Sequence, residues 1–215
     1  ATSDHREPEW GPATIAVTGP LASGKSTIVD LLGALGAEIV SADEVVHYLL
    51  AEDDETIARV VERFGEGVRG ENGIDRKALG RVVFGDAEAL SDLEDMLHPR
   101  VQDETDRRAA RSGADLFVAE IPLLFEGGGE ERFDLTVAIT APEERRRAWA
   151  EERGMGKEQR HAIEARQFSQ EEKARRADVV VENDGDLDRL REQARVLRDR
   201  VLGERGSGEG SVEET

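Results

Sequence analysis

The segment from Gly19 to Ser26, Gly-Pro-Leu-Ala-Ser-Gly-Lys-Ser, constrains the fold of this chain more than any other feature. The residues before it, 13–18, carry no charge and are rich in β-branched side chains, as in a strand buried on both faces of a parallel sheet. Apolar residues at helical spacing follow it and predict an amphipathic helix; they are Ile28, Leu31, Leu32 and Leu35. A glycine-rich loop ending in Lys-Ser between a strand and a helix is the pattern of a phosphate-binding loop. We therefore predict that the chain binds a nucleotide.

The residues of this loop have distinct expected roles. Its glycines let successive backbone N–H groups face one concavity, and the following helix adds partial positive charge there. Lys25 is expected to reach the β- and γ-phosphate oxygens, the Ser26 hydroxyl to bind magnesium, and Thr27 to lie near the α-phosphate. The remaining predicted nucleotide contacts in the loop are Gly19, Ala22, Ser23 and Gly24. An accidental glycine-rich turn is the alternative, which the flanking strand and helix disfavour.

Composition limits the class of protein. A length of 215 residues suits one α/β domain, and the absence of cysteine excludes disulfides, zinc–thiolate sites and cysteine nucleophiles. The apolar run 116–124 is interrupted by Glu120 and is too short to cross a bilayer, and no signal peptide is evident. We expect a soluble, cytoplasmic protein that is a monomer or a weak homo-oligomer.

The chain is strongly acidic, with a formal net charge of −19. Such a surface opposes binding to nucleic acids and to anionic membranes, which need a basic face. A nucleotide is also an anion, so positive charge must be concentrated locally. Cations crowd one stretch, namely Arg145, Arg146, Arg147, Arg153, Arg160, Arg166, Lys173, Arg175 and Arg176. The acidic surface fits either adaptation to high salt or an arginine-rich coding bias, and both interpretations stay open here.

Strands and helices are predicted to alternate along the chain. After an irregular leader over 1–12, the predicted strands cover 13–18, 37–40, 115–121, 135–140 and 179–182. The predicted helices after the first one cover 42–51, 55–64, 75–84, 87–112 and 186–202. This order predicts an α/β fold of the P-loop NTPase class over 13–202, with a five-stranded parallel sheet flanked by helices and a ligand site at the carboxyl ends of the strands. The Gly/Ser/Glu-rich tail, 203–215, is predicted to be disordered.

Three acidic residues stand out at predicted strand ends. Asp43 follows the second strand, where it could accept the proton of an acceptor hydroxyl or could simply be a first-turn residue favoured by the helix dipole. Glu120 lies in the third strand, where phosphate-loop proteins often place a carboxylate that holds magnesium through water. Asp134 opens the fourth strand.

Several short motifs occur in the order seen in dephospho-coenzyme A kinases, and the chain resembles that family over about 13–200. The motifs are the phosphate loop, Ser41-Ala-Asp43, Leu93-Glu-Asp-Met-Leu-His98-Pro99, Ile121-Pro-Leu-Leu-Phe-Glu126, Gln167, Glu172-Lys173, Ala177-Asp178 and Val181-Glu-Asn183. A further matching stretch contains Phe64-Gly65, Ile74-Asp75-Arg76, Leu79 and Val83-Phe84.

The resemblance implies transfer of the ATP γ-phosphoryl group to the 3′-hydroxyl of dephospho-coenzyme A, with Mg²⁺. It implies that Asp43 is the general base and that a helical insertion over about 42–112, with His98, binds the acceptor. Leu123 and Gln167 are expected as further acceptor contacts, and the backbone near Asn183 as the adenine site. For His98 and Leu123, a purely structural role is the alternative.

The segment 145–176 resembles the lid of that family, which brings guanidinium groups over the transferring phosphoryl group. The family usually shows Arg-Asp-Gly at the start of the lid, whereas this chain has Glu152-Arg153-Gly154. The catalytic arginine is therefore expected to be Arg153 or, in its place, Arg147.

Other classes of nucleotide-binding protein fit this sequence less well. The Gly127-Gly128-Gly129 triplet is similar to one in shikimate kinases, but it follows Glu126 rather than a strand end. Nucleoside monophosphate kinases share the lid, but the blocks around Asp43 and His98 disfavour them. A regulatory nucleotide switch would leave the arginine-rich segment without a role.

Overall fold

The computed structural model describes residues 11–207, with side chains up to Glu204. The chain divides into two compact units: the first contains the residues up to Val40 and those from Ala109 onward, and the second is Ser41–Arg108. The helical insertion had been predicted over about 42–112. Of the predicted leader, residues 1–10 lie outside the described range, as do residues 208–215 of the predicted tail.

The first unit is built on a five-stranded parallel sheet, as predicted. Its strands are β1 (Ala13–Thr18), β2 (Glu38–Ser41), β3 (Leu116–Glu120), β4 (Leu135–Thr140) and β5 (Val179–Glu182). The spatial order is β2-β3-β1-β4-β5, so the strand before the glycine-rich loop is central. In the β1–β3 ladder Val17 lies opposite Glu120, and in the β1–β4 ladder Thr18 lies opposite Ala138.

The helices are α1 (Lys25–Ala34), α2 (Ala42–Glu52), α3 (Asp54–Phe64), α4 (Arg76–Val83), α5 (Ala87–Arg111), α6 (Glu143–Glu152), α7 (Lys157–Glu164), α8 (Gln170–Arg176) and α9 (Leu187–Ser207). Six of them, α1 to α5 and α9, lie close to their predicted positions, whereas α6, α7 and α8 overlap the arginine-rich segment, for which no helix was predicted. One boundary was wrong, because α9 continues through Ser207 into the segment predicted to be a disordered tail. Within residues 11–207, no helix is long and apolar enough to span a membrane.

The sheet packs against α1 and α9 through a continuous apolar core. The predicted stripe of α1 buries Ile28 and Leu32 completely, while Leu31 and Leu35 are partly buried against the same core. Leu190 and Leu197 of α9 complete this layer. Burial of each such side chain stabilises the fold by roughly 1.5–3 kcal/mol, so the core holds the start of α1 firmly at the end of β1.

Two threonine–aspartate pairs tie neighbouring strands together at the amino-terminal edge of the sheet. Asp134 accepts hydrogen bonds from the backbone N–H and the hydroxyl of Thr14, at 2.7 and 2.9 Å. Asp178 accepts the same two bonds from Thr136, at 2.8 and 2.7 Å. Asp134 was noted in the sequence as an acidic strand-end residue, and its position is explained by this pairing, at the edge of the sheet opposite the glycine-rich loop.

The second unit is helical and has its own core. Buried side chains from α2, α3, α4 and α5 meet there, including Leu50, Val60, Leu79, Leu93 and Leu97. Several helices begin at side-chain caps: Ser41 and Glu44 form a capping box at the start of α2, and Asp53 caps α3 by accepting from the Thr56 N–H at 2.8 Å. These caps determine where the helices start and hence which residues occupy their first turns.

Candidate active site

The glycine-rich loop has the backbone conformation of an anion cradle. Gly24, directly before α1, has φ +88°, in the left-handed region that favours glycine. Ala22 also lies there, with φ +57°, and it is the only non-glycine residue with positive φ in the described part of the chain. A Cβ atom on Gly19 would lie 2.5 Å from the Ile139 carbonyl oxygen, so this position requires glycine. The loop therefore curls tightly at the amino terminus of α1.

Lys25 lies folded back over this loop. It is 9% exposed, and its ammonium group donates to the carbonyl oxygens of Gly19 and Pro20 at 3.2 and 3.0 Å. The ammonium group is thus held against the loop backbone, and its contact with the β- and γ-phosphate oxygens stays a prediction. It can exchange a carbonyl contact for a phosphate oxygen with little movement.

The Ser23 hydroxyl is completely buried in the loop and has no hydrogen-bond partner among the described residues. Leaving such a group unpaired costs about 1–3 kcal/mol. The other contacts of the loop must offset this cost.

Asn183, after β5, supports the loop from the neighbouring strand. Its side-chain amide donates to the Ser23 carbonyl oxygen at 2.9 Å, and its amide oxygen accepts from the Gly185 N–H at 3.0 Å. A Cβ atom on Gly24 would collide with the same side-chain amide. The side chain of Asn183, 4% exposed, is therefore engaged with protein, and any contact to a nucleotide base would come from the backbone around it.

Residues of the arginine-rich segment contact the loop at Leu21. Gln167 accepts from the Leu21 N–H at 3.1 Å, and Arg146 donates to the Leu21 carbonyl oxygen at 3.4 Å and to Glu164 at 3.2 Å. Gln167 was predicted to contact the acceptor, whereas in this structure its side-chain oxygen is engaged with the loop backbone. The role of Arg146 was missed, because nothing in the sequence separates it from the adjacent arginines.

The two arginines predicted to be catalytic are exposed on the same segment. The side chains of Arg147 and Arg153 form no hydrogen bond or ion pair with the residues that the structure describes. Arg145 lies over Gly185, where an added Cβ atom would collide with its guanidinium group. Arg147 and Arg153 thus retain their full hydrogen-bonding capacity for a ligand.

The predicted magnesium ligands lie on the elements that flank the cradle. Ser26, the second residue of α1, has an exposed side chain, and Glu120 is half-buried at the carboxyl end of β3, opposite Val17. Residues 11–207 contain no cluster of three or more His, Cys, Asp or Glu side chains that could hold a metal by themselves. A hydroxyl and a carboxylate are hard oxygen ligands, and they suit Mg²⁺ that is bound chiefly by a nucleotide's phosphates.

A buried ion pair fixes the end of the arginine-rich segment. The Lys173 ammonium group, on α8, is fully buried and donates to Glu126 at 2.7 and 3.0 Å and to the Pro122 carbonyl oxygen at 2.7 Å. Glu126 also accepts from the Phe168 N–H at 2.6 Å. Burial lowers the pKa of Lys173, and the carboxylate of Glu126 opposes that effect. The pair joins α8 to the loop after β3.

In the second unit, the predicted general base Asp43 lies in the first turn of α2. Its backbone N–H donates to the Ser41 hydroxyl at 3.2 Å, and its side chain is exposed. The helix cap thus fixes the backbone and leaves the carboxylate available. A carboxylate in this first turn is also favoured by the helix dipole, so both interpretations from the sequence fit its position.

The other predicted acceptor contacts are less exposed. His98 is half-buried within α5, one residue before the helix-interior Pro99. Leu123, in the first unit, is half-buried, and its carbonyl oxygen accepts from the Gly127 N–H at 3.0 Å. The next two residues, Leu124 and Phe125, are buried in the core.

Comparison with protein families matches residues 13–189 to the dephospho-CoA kinase family. A dephospho-CoA kinase of Salinibacter ruber is 40% identical over 88% of this chain and 98% of that relative. One of Symbiobacterium thermophilum is 39% identical over 83% of this chain and 77% of that relative.

Solved structures agree with this match. TT1252 from Thermus thermophilus is 37% identical with a TM-score of 0.74, covering 88% of this chain and 98% of that one. The dephospho-CoA kinase from Campylobacter jejuni is 29% identical with a TM-score of 0.64, and the match covers 89% of this chain and 98% of that one. Shikimate kinase from Acinetobacter baumannii shares the fold alone. It is 15% identical with a TM-score of 0.52, and the match covers 90% of this chain and 94% of that one.

Proposed function

The chain belongs to the dephospho-CoA kinase family, and from this premise we infer that it transfers the γ-phosphoryl group of ATP to the 3′-hydroxyl of dephospho-CoA. The observation that supports nucleotide binding is the tightly curled phosphate loop at the amino terminus of α1, with the Lys25 ammonium group folded back over its backbone. The identity of the acceptor is inferred from the family membership.

The phosphate loop performs the binding step in this proposal. Backbone N–H groups of the loop and the amino terminus of α1 hold the phosphates, and Lys25 contacts the β- and γ-oxygens as a point charge. Asn183, Gln167 and Arg146 keep the loop in the binding conformation through their backbone contacts. A preformed loop loses little conformational entropy when the nucleotide binds, which strengthens binding.

Ser26 and Glu120 would hold Mg²⁺ together with the phosphates of the nucleotide, Glu120 through water. When bound, the ion neutralises charge on the β- and γ-phosphate oxygens. Ser26 contributes its exposed hydroxyl, and the half-buried Glu120 contributes a carboxylate that is fixed by its strand.

We assign proton transfer to Asp43. Its exposed carboxylate orients the 3′-hydroxyl and accepts its proton as the oxygen attacks the γ-phosphorus, while the bond to the β-phosphate oxygen breaks in line. Arg153 or Arg147 neutralises the charge that develops on the transferring group. His98 and Leu123 are proposed as acceptor contacts. We expect the reaction to take place in the cytoplasm, in a monomer or weak homo-oligomer.

The direct test is magnesium-dependent release of ADP from ATP with dephospho-CoA, shikimate or a nucleoside monophosphate added separately, each in low and in molar KCl. Stimulation by dephospho-CoA alone is the expected result. Stimulation by another acceptor would keep the fold and overturn the substrate assignment. Slow hydrolysis with no stimulation at either salt concentration would favour a regulatory switch.

A further inference from the structure

A hydrogen bond in the second unit joins two basic side chains beside the proposed base. The Nη1 atom of Arg76, on α4, lies 3.0 Å from Nδ1 of His47, on α2. Asp43 and His47 are four residues apart on α2, so they share one face of that helix and are separated by about one turn, or about 6 Å along its axis. The pair is therefore next to the carboxylate to which we assign proton transfer.

The polar groups of His47 and Arg76 that are not used in this hydrogen bond are all donors. A guanidinium group can only donate hydrogen bonds, so Nδ1 of His47 accepts and the imidazole proton lies on Nε2. The Nε2–H group and the remaining N–H groups of Arg76 are all donors. Both side chains are exposed. Such a set suits an anion with several acceptor oxygens.

Among residues 11–207, Arg76 forms no ion pair with a carboxylate, and the only hydrogen bond of its side chain is the one with His47. This is unusual in a chain with 48 acidic and 29 basic residues, in which most arginines on the other helices form ion pairs. The sequence of α4, Arg-Lys-Ala-Leu-Gly-Arg-Val-Val, contains no acidic residue. Its cap Asp75 directs a carboxylate oxygen at the Lys77 and Ala78 N–H groups, at 2.9 and 3.1 Å.

The turn before α4 is built to bring Arg76 to this place. Gly73 has φ +84°, and a Cβ atom there would collide with the backbone of Leu50 and Ala51 at the end of α2. The next residue, Ile74, is buried, and its N–H donates to the Leu50 carbonyl oxygen at 2.7 Å. The start of α4 is thus fixed against α2 by backbone contacts. This arrangement brings Arg76 within reach of His47.

We propose that His47 and Arg76 form a binding subsite for the diphosphate group of the acceptor, dephospho-CoA. This inference rests on the proposed function. The acceptor carries its 3′-hydroxyl and its 5′-diphosphate on opposite sides of one ribose ring, and a spacing of one helical turn between Asp43 and His47 matches that arrangement. Binding of the diphosphate group by His47 and Arg76 places the 3′-hydroxyl at Asp43.

The test compares Arg76→Gln, Arg76→Lys, His47→Leu and His47→Gln, with Arg59→Gln as a matched control. Arg59 is an exposed arginine of α3 in the same unit, and its side chain forms no hydrogen bond or ion pair with residues 11–207. Steady-state kinetics give KM for dephospho-CoA, KM for ATP and kcat, calorimetry gives Kd for dephospho-CoA, and Tm reports folding. We expect Arg76→Gln and His47→Leu to raise KM and Kd for dephospho-CoA by about tenfold or more, with KM for ATP, Tm and the Arg59→Gln variant unchanged.

The conservative variants sharpen this test. His47→Gln keeps a hydrogen-bond donor near the position of Nε2, and Arg76→Lys keeps the positive charge but loses the planar guanidinium group with its several donors. Each should therefore bind dephospho-CoA more tightly than His47→Leu or Arg76→Gln, respectively. Unchanged KM and Kd for dephospho-CoA in an active, folded Arg76→Gln protein would overturn this inference alone. A rise in KM for ATP instead would overturn it as well. Absence of dephospho-CoA turnover in the wild type would overturn the proposed function, and this inference with it.

Discussion

The side-chain amide of Asn183 donates a hydrogen bond to the Ser23 carbonyl oxygen, over 2.9 Å, and so connects the end of β5 to the middle of the phosphate loop. The two residues are 160 positions apart in the chain. This contact makes the shape of the loop depend on the edge strand of the sheet, and from it we expect Asn183 to position the loop for a nucleotide.

We expect Asn183→Ala to weaken ATP binding by about tenfold, because the variant leaves the buried Ser23 carbonyl oxygen without its donor. Fluorescence or calorimetric titration with an ATP analogue measures this change. Asn183→Asp should have at least as large an effect, since a carboxylate would face that carbonyl oxygen while still accepting from Gly185. Affinity at the wild-type level in both variants would show that the loop holds its shape without the contact.

Asp43→Asn is expected to lower kcat by about a hundredfold or more, as for loss of a general base, while ATP binding is retained. The Asp43 carboxylate is exposed, and its backbone N–H, not its side chain, takes part in the helix cap, so the variant should keep its Tm. Lys25→Ala is the contrasting variant, in which both ATP affinity and turnover should be lost. Unchanged turnover in Asp43→Asn would transfer the role of base to another group.

Alanine variants of the arginines at the start of the arginine-rich segment should separate a binding role from a catalytic one. Arg146→Ala should raise KM for ATP, because Arg146 donates to Leu21 in the phosphate loop. One of Arg153→Ala and Arg147→Ala should instead lower kcat by about a hundredfold with little change in KM for ATP, as for loss of a group that stabilises the transition state. Wild-type kcat in both of these variants would exclude both residues from catalysis.

Lys173→Met should lower the free energy of unfolding by about 3 kcal/mol or more, because it leaves the Glu126 carboxylate without its buried partner. Urea denaturation at neutral pH measures this loss. The double variant Lys173→Met with Glu126→Leu should recover much of the stability, since a buried ion pair is often replaceable by apolar side chains. A single variant as stable as the wild type would mean that the pair makes no net contribution.

Thr136→Val should lower the free energy of unfolding by about 1 kcal/mol at pH 7, through loss of the hydroxyl bond to Asp178. The hydrogen bond from the Thr136 hydroxyl holds the pKa of Asp178 below its usual value. A carboxylate with a lowered pKa stabilises the folded state above its unfolded pKa, about 3.9, and this contribution is lost as the pH falls through the folded pKa.

The difference in stability between the wild type and Thr136→Val should therefore shrink between about pH 5 and pH 2. Denaturation midpoints measured across that range give the result. The control is Thr140→Val on the same strand, whose hydroxyl contacts no carboxylate among the described residues. A difference that is independent of pH would assign the loss to packing rather than to Asp178.

Local patterns were sufficient to predict much of this fold. The charge-free strand 13–18, the glycine-rich loop and the apolar stripe of α1 each depend on neighbours within a few residues, and all three lie where the sequence indicated. The five strands were found for the same reason, since each is a short apolar run bounded by turns. The end of α9 was misplaced, because glycine and serine residues signal a helix end without determining where the last turn stops.

The sequence by itself determined that this chain folds around a phosphate loop and which residues lie in that loop, because the motif is contiguous and its chemistry is local. Only the tertiary structure decided which distant side chains hold the loop: Asn183, Gln167 and Arg146 were selected from many similar polar residues by the arrangement of strands and helices. It also decided that Asp134 ties strands together and that Arg76 meets His47. Such pairings depend on which elements pack together, and that is a property of the whole fold.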